Sequence, residues 1–169
     1  MKMAGFVLLQ LAALLFALRH IGCKKRETAC LASICAMLEQ LGGLLGSEAA
    51  PMPELIGALI LRSDGCAAAF LQTLAESMDR LGERSFHELW ENALDAAPIA
   101  LDPEAGQALE ELGSVLGRYE LETQLRAVEA CRAALCRRLD ALRQELPQRK
   151  RLTVGLSLAA SALIGIILI

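Results

Sequence analysis

A chain of 169 residues is long enough for one domain with appendages. Its residues are 54% apolar and only 4% aromatic, with mean hydropathy +0.41 and Leu and Ala dominant, which favours helices and argues against a sheet-built core. The net charge of −3 offers no basic excess for a nucleic-acid partner.

The first element is apolar. MAGFVLLQLAALLFAL covers Met3 to Leu18, and Ile21-Gly22-Cys23 extends it past Arg19-His20. Its positive start is only the amino terminus and Lys2, and no A-x-A site precedes a polar segment, so it is read as uncleaved. Cys23 does not mark a lipoprotein, because His20 stands where an aliphatic residue is needed three positions before it. Residues 1–23 are therefore an N-terminal transmembrane helix.

Residues 24–151 read as a helical bundle. Glu27 to Leu45 carries Leu31, Ile34, Cys35, Leu38, Leu41 and Leu45 at the spacing of one helix face. GSEAAPMPEL turns the chain into a short helix from about Pro53 to Arg62, with Pro at its start. SDG breaks the chain before a helix from Cys66 to Leu81, which Gly82 closes. SFHE is a capping box of Ser85 and Glu88 for a helix reaching Ala97. Asp102, Pro103 and Glu104 open the next helix, which stops near Gly117. The last helix of the bundle repeats Leu121, Leu125, Val128, Cys131, Leu135, Leu139, Leu142 and Leu146 up to Pro147, where a break or kink is expected. Six helices with short connections predict an antiparallel six-helix bundle with its own core.

LTVGLSLAASALIGIILI, residues 152–169, is free of charge. Eighteen helical residues span about 27 Å, close to the ~30 Å hydrocarbon core, so this is a C-terminal transmembrane helix. Ser157, Ser161 and Gly165, with Ala13 and Ala17 on the first span, form small-residue stripes suited to helix packing. Lys24-Lys25-Arg26 follows the first span directly, and Arg149-Lys150-Arg151 precedes the second. The positive-inside rule then places residues 24–151 in the cytoplasm and both termini on the opposite side.

The six cysteines contain no C-x-x-C, and the pairs Cys30/Cys35 and Cys131/Cys136 point about 140° apart on a helix, so neither closes locally. They are expected to be reduced, small, buried apolar residues. His20 and His87 are isolated, and no Cys/His cluster has zinc-ligand spacing, so no metal or cofactor is expected. Phosphate-binding, nucleophile-elbow and metalloprotease motifs are absent. Glu110/Glu111 and Glu120/Glu122 read as solvated helix faces. The expectation is a non-catalytic binding or scaffolding protein. The alternative is a membrane-anchored regulatory or ligand-sensing helical protein.

The stretches PMPELIGAL (Pro51–Leu59), SFHELWENAL (Ser85–Leu94) and ELGSVLGRYELETQL (Glu111–Leu125), in this order before the long helix and the final apolar run, resemble the stage III sporulation protein AB family of endospore-forming bacteria. Leu116-Gly117 and Gln124 match the last motif, while Arg118-Tyr119 replaces its commoner pair. The resemblance implies a bundle like the F domain of type II secretion platform proteins. It also implies a place in the mother-cell membrane around the forespore, in a secretion-like channel. An ATPase like stage III sporulation protein AA and the membrane proteins of the same operon would be partners, with a homo-oligomer possible. Arg118 and Tyr119, before the long helix, are the candidate contact residues.

Overall fold

The leucine spacing of the first bundle helix is realised as one buried face, with Leu31, Ile34, Cys35, Leu38, Leu41 and Leu45 all in the core. In a computed structural model that describes the backbone of residues 2–47, 51–97 and 99–168, and the side chains of 22, 24–47, 51–97 and 99–144, six α-helices pack around that face. They are α1 (Lys2–Ser47), α2 (Met52–Ile60), α3 (Gly65–Ser77), α4 (Phe86–Ala96), α5 (Pro103–Val115) and α6 (Leu121–Leu168), with a 3-10 turn at Met78–Arg80. No strand occurs among the described residues, as the composition predicts, and the predicted helices follow in the predicted order.

The helices alternate in direction. A Cβ on Gly42 would sit 3.6 Å from Val128, and the Cys35 thiol meets Cys136, so residue numbers rise on α1 as they fall on α6. The turns α1/α2, α3/α4 and α5/α6 therefore share one end of the bundle, called here the far end. At the near end, α1 enters from the first apolar run and α6 leaves toward the second.

At the near end, α3 is fastened to α1 by its first turn. Ser33 donates to the Asp64 carbonyl at 2.5 Å and accepts from the Ala67 N–H at 3.2 Å, which satisfies a donor orphaned at the start of α3. Gly65, with φ +57°, makes the bend that brings the chain so close. One turn away on α1, Cys30 is joined to Cys66 by a disulfide, with Cα atoms 5.5 Å apart. This corrects the expectation that all six cysteines are free. Spacing tests only pairs on one helix, and here the turn through residues 61–65 returns the chain to the level of Cys30. Cys35, Cys131 and Cys136 are free.

Two more differences concern the long helices. α1 does not begin at Glu27, and α6 does not break at Pro147; each is continuous, α1 from Lys2 and α6 to Leu168. An interior proline removes one backbone hydrogen bond and costs about 3 kcal/mol, which a helix of 48 residues can absorb. Among the described residues, Lys24–Ser47 is the one stretch long and apolar enough to cross a membrane. It is also the helix that carries the core face above. Apart from Gly22, the predicted spans, 1–23 and 152–169, lie outside the residues whose side chains are described, as do their small-residue stripes.

The core centres on Trp90 of α4, which is wholly buried. Its ring meets Phe70 of α3 edge-on at 4.8 Å and Phe86 at 5.8 Å, and its Nε1–H donates to the Leu109 carbonyl of α5 at 2.8 Å. This approach needs Gly113: a Cβ there would lie 2.2 Å from Trp90 Cδ1. Gly106, two turns earlier on α5, has open space around it. Gly113→Ala is therefore expected to destabilise the protein by about 1–3 kcal/mol through overpacking. Gly106→Ala should stabilise it by roughly 0.5–1 kcal/mol through helix propensity. Urea unfolding followed by fluorescence of Trp90, the chain's single tryptophan, reads both signs.

Candidate functional site

The α5/α6 turn is built by sequence features that the far end requires. α5 stops at Val115, and Gly117, with φ +72°, takes the left-handed position that ends helices. Gln124, in the first turn of α6, reaches back across the turn. Its Oε1 accepts from the Gly117 N–H at 3.2 Å, and its Nε2 donates to the Tyr119 carbonyl at 2.6 Å. Arg118 and Tyr119 are thereby held outward, with the guanidinium 6.0 Å from the Tyr119 ring centroid. Tyr119 and Leu121 are each about half exposed.

The α3/α4 turn lies against this one. Ser85 and Glu88 form the predicted capping box, each bond 3.3 Å long, and start α4 at Phe86. Phe86 packs on Gly117, and Met52 at the start of α2 reaches the same glycine. Between the three turns runs a groove of about 840 Å³. Met52, Phe86 and Leu116 are among its apolar lining residues, and Arg84, His87 and Arg118 line it too. His87 Nε2 lies 3.3 Å from Glu91, and its Nδ1 has no hydrogen-bond partner among the described residues. Of the predicted contact pair, Arg118 lines this groove and Tyr119 stands beside it.

The near end carries a second hollow with an acidic border. It holds about 580 Å³ and is bordered by Asp95, Asp102 and Glu110. Asp102 caps α5 through the Ala105 N–H at 2.8 Å and pairs with Arg138 of α6, which ties the two helices. Burial works against the charge on Asp102. The Ala105 N–H and the Arg138 guanidinium together outweigh it and hold the carboxyl below the usual range. Of the predicted topology anchors, Lys24 pairs with Glu27 at 2.9 Å, while Lys25 and Arg26 are exposed. Arg149, Lys150 and Arg151 lie outside the described side chains.

Burial pushes the Cys131 thiol up to about 12, and burial and the neighbouring Cys136 thiol push Cys35 up as well. Neither is a nucleophile near neutral pH. Among the described residues no three of His, Cys, Asp and Glu converge on a metal position. Of this groove the sequence marked only the α5/α6 rim. The signal it carried was that PMP, SFHE and LGRYE all mark helix boundaries that an alternating bundle puts at one end.

Asp102→Asn keeps a capping side chain but loses the ion pair. A lowered carboxyl contributes stability that is present above its unfolded value of 3.8 and is lost as pH falls through the lower folded value. The variant is thus expected to be less stable than the parent at pH 7, and the gap should close as pH falls below 3.8 and through the lower folded value. Urea midpoints across this range measure it.

The family profile described as Stage III sporulation protein AB matches residues 2–169. A solved structure titled "Stage III sporulation protein AB" superposes with a TM-score of 0.63 over 72% of this chain and 97% of that one, at 15% identity, which supports the fold. No curated protein matches the chain.

Proposed function

The chain belongs to the stage III sporulation protein AB family, so it is a sporulation-associated protein, and from that premise we propose that it is a two-pass membrane platform whose bundle faces the cytoplasm. The observation that carries this reading is the pairing of α1 with α6. The two helices run antiparallel along the bundle and continue past it at the same end, toward the two apolar runs. One membrane can then hold both. Continued downward, the register sets Lys24–Arg26 and Arg149–Arg151 within roughly two helical turns of one level, where both clusters meet the cytoplasmic lipid surface.

The far end is left as the working face. In this reading the bundle resembles the F domain of type II secretion platforms and couples a cytoplasmic ATPase, like stage III sporulation protein AA, to membrane proteins of the same operon. The membrane is that of the mother cell around the forespore. α6 supports a mechanical link, because one unbroken helix of about 72 Å joins the α5/α6 turn to the second apolar run. The family is not a known enzyme family, and the role proposed is non-catalytic.

The cytoplasmic placement bears on Cys30 and Cys66, which a reducing compartment would hold as a dithiol. A reporter active only outside the cytoplasm, inserted in the exposed loop at Gly82, should be silent, and the detergent-solubilised chain should co-purify with the sporulation ATPase. An active reporter contradicts the topology, and absence of the ATPase contradicts the coupling.

A further inference from the structure

Among the described residues four large apolar side chains are exposed, and three of them, Leu81, Tyr119 and Leu121, stand at the far end. Leu81 lines the groove floored by Met52, Phe86 and Leu116, and Tyr119 and Leu121 follow its lining residue Arg118 in the chain. Single exposed apolar residues are ordinary, but a cluster at the mouth of an apolar groove marks a contact surface.

The charges at this groove are sorted. The chain has 20 acidic and 17 basic residues, yet Arg84 and Arg118 line the groove and no carboxylate does. Neither arginine has a carboxylate partner among the described residues, which is also true of Arg62, Arg80 and Arg137, whereas Arg126, Arg132, Arg138 and Arg143 are in ion pairs. The hollow at the near end is bordered by carboxylates instead.

We propose that the far-end groove docks an acidic, apolar-anchored segment of a partner protein. Its apolar side chains would lie on Met52, Phe86 and Leu116, and its carboxylates would meet Arg84 and Arg118. The inference rests on the platform reading for the existence of a cytoplasmic partner. A second copy of this chain is the poorer occupant, because a two-fold contact here brings Arg84 and Arg118 against their own copies. The groove is also pre-set. The Ser85–Glu88 capping box and the Gln124 bridge fix two of its walls, so little ordering remains to be done on binding.

The test uses the full chain in sporulating cells, with Leu81 replaced by the photoreactive p-benzoylphenylalanine and, as control, the same substitution at Leu61, which is exposed away from the groove. Irradiation should give a specific adduct from position 81 and not from 61, and mass spectrometry should place it in a segment rich in Asp or Glu beside apolar residues. Arg84→Glu with Arg118→Glu should reduce the adduct roughly tenfold or more, as charge reversal against a complementary partner does. Reversing the captured carboxylates to Lys should restore it. Arg84→Gln with Arg118→Gln, a milder pair for the case that reversal disturbs folding, should give a smaller loss. No adduct at position 81, an adduct with a second copy of this chain, or one indifferent to the arginines overturns the proposal. Capture of an acidic segment from another protein, together with no co-purification of the ATPase, leaves the groove standing and removes the ATPase coupling. Co-purification of the ATPase without an adduct at position 81 does the reverse.

Discussion

The close approach of Trp90 to Gly113 sets the spacing on which the far end depends. The indole comes so close to α5 that a Cβ at position 113 would overlap it, and Gly113 leaves the gap. The indole then fills the space between α3, α4 and α5 and gives its one polar atom to the Leu109 carbonyl, so nothing polar is left unpaired. With α4 and α5 fixed at this distance, the start of α4 at Phe86 meets the end of α5 at Gly117. That meeting forms the floor of the groove. The buried core and the exposed surface are thus set by one contact.

A second set of ties fixes the bundle to its two long helices. Ser33 holds the first turn of α3 against α1, where Cys30 and Cys66 also meet, and the Asp102–Arg138 pair holds the first turn of α5 against α6. All of them lie toward the near end. The short helices are fastened where the long ones leave the bundle, and the opposite end is built from turns. A body mounted in this way can present one face at a fixed height above a membrane surface, as the proposed platform role requires.

Much of this was legible in the chain itself. Leucine spacing together with the Pro, Gly and capping signals placed the helices of the bundle in order, and SFHE named its own cap. The misses have physical causes. Cys30 and Cys66 are 36 residues apart, and their pairing depends on a tertiary return that local periodicity cannot express. Ser33 looks like an ordinary polar residue on a helix until α3 is placed beside it. Gly113 reads as a helix-weakening residue, and only the indole opposite explains it. Pro147 suggested a break because local propensity counts its missing N–H and not the long helix on either side. The groove escaped because its walls come from three separate turns, of which Arg118 and Tyr119 marked one.

The central claim is that the work of this protein is done at the end of the bundle away from α1's entry and α6's exit. Sporulation efficiency decides it most directly, measured in strains whose full-length protein carries either Leu81→Glu with Arg118→Glu at the far end or Glu110→Lys at the near-end hollow, at equal protein levels. The account predicts a severe sporulation defect for the far-end variant and near-normal sporulation for the other. Normal sporulation with the far end altered would contradict it.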